Sequence, residues 1–87
     1  MKEILMMMQA TCPYCKMADR LIEELQAENP AYRNLTIRRV DENREPAYAD
    51  TLDYYYVPTF YADGEKLMEG VPSKDKIRAV LDRALLK

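Results

Sequence analysis

A run of five apolar residues, residues 4–8, leads after four further residues into a segment that begins with Pro13. Apolar side chains at every position of such a short run are typical of a central strand covered on both faces. Pro13 suits the first position of a helix. Ala18, Ile22 and Leu25 then recur at helical spacing, with charged residues between them. The sequence therefore predicts a buried strand that passes directly into an amphipathic helix.

Three further strands and two further helices are predicted along the rest of the chain. In order, they are a strand at residues 35–40, a helix at 46–53, strands at 57–62 and 65–69, and a helix from near Ser73. Arg38 and Arg39 interrupt the alternation of the second strand and suggest an outer position in the sheet. Asp63 and Gly64 are typical of a two-residue hairpin turn. The order βαβαββα predicts an α/β domain, with three helices on a four-stranded mixed sheet whose first two strands are parallel.

Length, charge and hydropathy limit the function. The 87 residues fit a single domain, residues 1–87. The net charge of −2 argues against nucleic-acid binding, which normally leaves a basic patch. No run approaches the roughly 18 apolar residues of a membrane span, and residues 4–8 are too few for a signal peptide. We therefore expect a cytoplasmic protein in a reducing environment, with no nucleic-acid or membrane partner.

The two cysteines, Cys12 and Cys15, form a C-x-x-C motif at the predicted start of the first helix. If Pro13 is the first helical residue, Cys12 is the N-cap, and its sulfur accepts from the amides of Tyr14 and Cys15. Those amides and the helix dipole favour a thiolate at this position, and Lys16 adds a positive charge in the first turn. We expect Cys12 to attack a substrate disulfide and Cys15 to resolve the mixed disulfide.

The same spacing also occurs in zinc sites and in structural cysteine pairs, so these interpretations compete with redox chemistry. Structural zinc takes four ligands, whereas this chain has two cysteines and no histidine. A metal site would need carboxylates or a second copy of the chain. We interpret Cys12 and Cys15 as a redox pair that requires no bound metal or cofactor.

The segment T-C-P-Y-C-K at residues 11–16 resembles the active site of dithiol glutaredoxins. The predicted element order and length also match across the chain, which is therefore similar to glutaredoxin and thioredoxin-like proteins. This resemblance implies the thioredoxin fold and a cysteine pair that reduces disulfides of proteins or low-molecular-weight thiols. Thr11, Pro13 and Lys16 are expected to support the pair as its immediate neighbours.

A second resemblance lies in V-P-T at residues 57–59, which is similar to the segment that carries the cis-proline of this superfamily. It implies that Pro58 faces the cysteine pair and that the backbone of Val57 pairs with the substrate like an added strand. A proline at the start of a strand belongs at an edge or irregularity, which agrees with this placement. Tyr56 and Tyr14 are expected to line a groove for the thiol substrate. The alternative is that the neighbouring tyrosines only pack, with hydrated hydroxyls.

The C-terminal third divides the resemblance. Glutaredoxins bind glutathione partly through a Gly-Gly pair, whereas residues 70–75 read G-V-P-S-K-D, which is closer to thioredoxins. The chain has no tryptophan, however, and Met6 stands where thioredoxins have a buried Asp. The electron donor is open between glutathione, as a co-substrate, and a thioredoxin-reductase-like enzyme. We expect a monomer, and the rival functions are a metal or iron–sulfur carrier dimer and a non-catalytic binding module.

Overall fold

The computed structural model describes residues 2–87, so Met1, which belongs to the predicted domain, lies outside the described residues. Within this range the chain forms, in order, β1 (Lys2–Met8), α1 (Pro13–Glu28), a short 3-10 helix (Pro30–Asn34), β2 (Leu35–Asp41), α2 (Pro46–Ala49), β3 (Thr59–Ala62), β4 (Glu65–Glu69) and α3 (Lys74–Leu85). The predicted α/β class and the βαβαββα order are confirmed. No helix among residues 2–87 is long and apolar enough to cross a membrane.

The four strands of this range form one mixed sheet in the order β2-β1-β3-β4. β1 lies parallel to β2 and antiparallel to β3, so Met6 has Arg39 on one side and Phe60 on the other. The central place of β1 and the outer place of β2 are as the sequence predicts. β3 and β4 form the predicted antiparallel hairpin, and Asp63 and Gly64 both have positive φ, at 50° and 78°, as a tight primed turn requires.

One face of the sheet, called here the helix-covered face, is packed against α1 and α3. Alternate residues of β1, Ile4 and Met6, point to this side and are fully buried. Phe60 of β3 joins them. The helices contribute their apolar faces, formed by Ala18, Ile22, Leu25, Ile77, Val80, Leu81 and Ala84. This cluster is the main core of the domain, and it includes Cys15.

The opposite side, called here the loop-covered face, carries a smaller cluster. Met7, Val40 and Tyr61 are buried there. Their cover is α2 and the loop that follows it, which contribute half-buried side chains, among them Tyr48, Leu52 and Tyr54. Tyr61 Oη donates a hydrogen bond to the carbonyl of Asp53 at 2.9 Å, and this bond holds the loop against the sheet.

Two predicted boundaries are wrong. The helix expected over residues 46–53 ends at Ala49, because the Thr51 N–H and hydroxyl both donate to the Tyr48 carbonyl, at 3.0 and 2.6 Å, and tighten the turn. The strand expected from residue 57 begins at Thr59, because Pro58 has no N–H to donate to a ladder.

The ends of the described chain lie side by side. α3 begins after Ser73, whose hydroxyl accepts from the Lys76 N–H at 3.2 Å, so the predicted start of this helix is confirmed. At the other end of α3, the Leu85 carbonyl accepts a hydrogen bond from Lys2 Nζ of β1. The cysteine motif follows β1 and therefore lies at the far end of the sheet from this contact.

Candidate active site

Cys12 lies at the N-cap of α1, as the motif predicts. Its backbone is extended, with φ −78° and ψ 117°, and Pro13 is the first helical residue. Of the two amides expected to bond its sulfur, that of Cys15 donates to Cys12 Sγ at 3.2 Å. The Lys16 N–H donates to the Cys12 carbonyl at 3.1 Å, the first hydrogen bond of the helix. The sulfur is half-buried and faces the positive end of the helix dipole.

The two thiols differ sharply in their surroundings. Cys15 is 1% exposed and belongs to the main core, while Cys12 lies at its border. Burial, followed by the hydrogen bond with Cys12, raises the pKa of Cys15 to about 12. A negative charge on Cys12 also raises the pKa of Cys15. Met6, which is fully buried in the same core, has no carboxylate that could accept the proton of Cys15. Cys15 therefore keeps its proton at neutral pH while Cys12 is reduced.

The backbone before the cis-proline faces the outer thiol. Cys12 Sγ lies 3.9 Å from the carbonyl oxygen of Val57, although the two residues are 45 positions apart in sequence. The Val57–Pro58 peptide is cis, as the resemblance implies, and Pro58 is buried. Val57 packs against both the main core and the smaller cluster. A group that pairs with Val57 therefore comes within reach of Cys12.

An apolar groove of about 240 Å³ adjoins this point. It is lined by Tyr14, Tyr56, Val57, Gly70 and Val71, and three of these side chains are well exposed: Tyr14, Tyr56 and Val71. Tyr14, Tyr56 and Val57 are site residues predicted from the sequence, whereas Gly70 and Val71 are not. The sequence feature that could have indicated these two residues is the glycine before α3. Gly70 has φ +93°, and its N–H donates to the carbonyl of buried Pro58 at 3.0 Å.

The other predicted site residues separate by position. Thr11, Pro13 and Lys16 lie exposed around the start of α1. Of the three consecutive tyrosines, Tyr56 is 70% exposed and lines the groove, whereas Tyr54 turns toward the loop-covered face. Tyr56 therefore lines a groove beside Val57, whereas Tyr54 packs on the opposite side of this segment.

A carboxylate that was not predicted from the sequence holds the backbone before the cis-proline. Glu69 of β4 accepts hydrogen bonds from the N–H groups of Tyr55 and Tyr56, the latter at 2.9 Å. It also forms an ion pair with Lys66 at 2.9 Å. The hydrogen bond from Lys66, followed by those from the two amides, lowers the pKa of Glu69 to about 2. The charge is thus present at any physiological pH, and it anchors one wall of the groove.

The part of the chain that the structure describes contains no cluster of side chains suited to bind a metal ion. Among residues 2–87, no group of three or more His, Cys, Asp or Glu side chains is placed to hold a metal ion. Both cysteines are free thiols. The arrangement consists of one accessible sulfur, one buried sulfur and a backbone edge beside them, which is suited to thiol–disulfide exchange.

Comparisons with known proteins agree with this geometry. A family model described as a thioredoxin domain matches residues 2–82. The chain therefore belongs to the thioredoxin-domain family. No curated protein matches the sequence significantly.

Solved structures share the fold at low sequence identity. Oxidised thioredoxin from Plasmodium falciparum superposes with a TM-score of 0.70 at 18% identity, covering 93% of this chain and 78% of that one. Thioredoxin O1 from Arabidopsis thaliana in the oxidised state gives 0.68 at 22%, covering 95% and 77%. A protein disulfide oxidoreductase from Aeropyrum pernix K1 gives 0.60 at 24%, covering 98% of this chain but 38% of that protein. The predicted thioredoxin fold is confirmed.

Proposed function

We propose that the protein is a dithiol thiol–disulfide oxidoreductase that reduces disulfides of proteins or small thiols. The observation that carries this proposal is the asymmetric cysteine pair. Cys12 is partly accessible, bonded to a helix-start amide and 3.9 Å from the Val57 carbonyl, while Cys15 is buried beside it. Only the thiolate is nucleophilic, and Cys12 Sγ lies at the N-cap of α1, beside the positive end of the helix dipole.

The reaction runs in two exchange steps. The Cys12 thiolate attacks one sulfur of the substrate disulfide, forms a mixed disulfide and releases the first substrate thiolate, which takes up a proton. Cys15 then loses its proton and attacks Cys12 Sγ, releasing the second substrate thiol and leaving a Cys12–Cys15 disulfide. Once Cys12 is bonded to substrate, its charge is gone, so one cause of the raised pKa of Cys15 disappears when Cys15 must ionise. Two electrons from a donor restore both thiols.

The surroundings of Cys12 favour an extended peptide as substrate. Val57 offers its backbone at the edge of the site, and strand-like pairing is a common way to bind a peptide. The groove lined by Tyr14, Tyr56 and Val71 is almost wholly apolar and would take an apolar side chain next to the substrate cysteine. These features support protein disulfides over glutathione-bound ones.

The donor proposed is a thioredoxin-reductase-like flavoenzyme, with glutathione as the alternative co-substrate. Membership of the thioredoxin-domain family and the apolar groove both support the enzyme donor. We further propose a monomer that works in the cytoplasm, where a dithiol is kept reduced, without a bound cofactor.

The test is a coupled assay of NADPH consumption with a protein disulfide as substrate. Wild-type protein is supplied in one arm with thioredoxin reductase and in the other with glutathione plus glutathione reductase. Activity in the first arm alone supports the enzyme donor, and activity in the second alone supports glutathione. Absence of activity in both, together with visible absorbance from a bound cluster, would instead support the iron–sulfur carrier.

Two matched variants test the role of each thiol. Cys12→Ser is expected to reduce turnover to the background rate, because the attacking sulfur is gone. Cys15→Ser keeps the attacking thiol and is expected to accumulate a mixed disulfide, detectable as a mass increase that dithiothreitol reverses. Full activity of Cys12→Ser would refute the proposed mechanism.

A further inference from the structure

A carboxylate on the loop-covered face joins two segments that are distant in sequence. Tyr54 Oη donates to Glu42 Oε1 at 2.6 Å, and Gln9 Nε2 donates to Glu42 Oε2. Glu42 follows β2, and its own N–H donates to the Met8 carbonyl at 2.9 Å, which ties it to the end of the sheet. The three side chains, Gln9, Glu42 and Tyr54, are all half-buried and are called here the carboxylate bridge.

The two residues held by the bridge belong to the two sides of the active site. The carbonyl of Gln9 accepts from the Cys12 N–H at 3.1 Å, so Gln9 lies at the base of the loop between β1 and α1, residues 9–12, called here the cysteine loop. Tyr54 stands three residues before Val57, in the segment whose backbone faces the thiol. Glu42 therefore connects the two segments that flank the 3.9 Å gap between Cys12 Sγ and the Val57 carbonyl.

The carboxylate bridge consists of charge-assisted hydrogen bonds, which are stronger than neutral ones, and each oxygen of the carboxylate accepts one of them. Burial, followed by the hydrogen bond to Glu42, raises the pKa of Tyr54, so its hydroxyl stays protonated as a donor. Among the described residues, the buried members of the apolar cluster on this side of the sheet are Met7, Val40 and Tyr61, and the side chains that cover them are only half-buried. Here polar contacts therefore hold the backbone in place, as apolar packing does around α1.

We propose that Glu42 is a positioning residue that sets the spacing between Cys12 and the Val57 backbone, and that it thereby favours peptide disulfides over small ones. This inference rests on the proposed oxidoreductase function. A peptide must pair with Val57 and present its sulfur to Cys12 at the same time, so it depends on the spacing. A small disulfide needs the thiol alone and is indifferent to it.

The test compares a protein disulfide, insulin, with a small aromatic disulfide, 5,5′-dithiobis(2-nitrobenzoic acid). Glu42→Gln removes the charge at nearly constant shape, and Tyr54→Phe removes one donor. Losing a hydrogen bond to a charged group is expected to raise KM for insulin roughly tenfold, with kcat nearly unchanged. The rate with the small disulfide should stay near that of wild type. Glu45→Gln, an exposed carboxylate three residues from Glu42, is the matched control.

The outcomes separate the inference from the function on which it rests. An unchanged KM for insulin in Glu42→Gln, or an equal loss on both substrates, would overturn the inference while the oxidoreductase function stands. If Glu42→Gln does not fold, Tyr54→Phe decides in the same way. The double variant should lose little more than Glu42→Gln alone, because either single change already breaks the connection between Gln9 and Tyr54. Wild-type protein inactive on both disulfides would overturn the proposed function itself.

Discussion

The two faces of the sheet hold the two halves of the candidate site by different means. On the helix-covered face, Cys15 is part of a continuous apolar core that fixes the start of α1. On the loop-covered face, the segment before Pro58 is held by a few polar contacts, through Glu42, Glu69 and Tyr61. Because of this difference, we expect stability to reside mostly on the helix-covered face and the position of the backbone before Pro58 to depend mostly on the loop-covered face.

The strongest test of this comparison is a pair of leucine truncations. Leu81 of α3 is 1% exposed, and Leu81→Ala should lower the free energy of unfolding by about 2–5 kcal/mol. That is a large part of the roughly 4–13 kcal/mol expected for a domain of this length. Half-buried Leu52 on the other face should cost less than about 2 kcal/mol when changed to Ala. Urea unfolding measures both free energies, and equal losses would contradict the expectation that stability resides mostly on the helix-covered face.

Alkaline pH offers a second test of the helix-covered face. The pKa of Cys15 is raised to about 12 in the folded protein, whereas an unfolded thiol ionises near 8.5. The folded state thus retains a proton that the unfolded state loses, so stability falls as pH rises from about 8.5 toward 12. Urea unfolding under reducing conditions at several pH values should show a steeper fall for wild type than for Cys15→Ala. Parallel curves would show that the pKa of Cys15 is not raised in the folded protein.

A third test concerns a side chain that is expected to affect substrate binding but not the stability of the fold. Tyr56 is 70% exposed and lines the groove. Tyr56→Ala should raise KM for a protein disulfide by about fivefold to tenfold and leave the urea midpoint nearly unchanged. Tyr55→Ala is the matched control, because Tyr55 is 86% exposed and is not a lining residue of the groove. An unchanged KM in Tyr56→Ala would remove this residue from the binding surface.

The smallest expected effect lies at the start of α3. Ser73→Ala removes the hydroxyl that accepts from the Lys76 N–H and should cost about 1 kcal/mol. Because α3 packs on the helix-covered face, the loss should appear in the urea midpoint and not in KM for either disulfide. A change in KM alone would show that this helix start contacts the substrate.

The sequence predicts those features that depend on local patterns. The apolar run of residues 4–8 predicts burial, and the C-x-x-C motif before Pro13 predicts a helix start. Pro58 predicts an irregularity of the backbone. Each of these predictions depends only on neighbouring residues. The end of α2 could not be predicted, because the Thr51 hydroxyl competes for a carbonyl within one turn. The role of Glu42 could not be predicted either, because its partners lie 33 and 12 residues away and meet only after the sheet has formed.

The hydrogen bond between Lys2 and the Leu85 carbonyl has a consequence for how the domain can be used. It places both ends of the described chain at one end of the molecule. β1 has seven residues, which separates this contact from the cysteine loop by roughly 20 Å. A fluorescent reporter or an affinity handle fused at either end would therefore project away from the thiols. The domain is thus suited to attachment on a surface through this end, with the thiols on the side away from the surface.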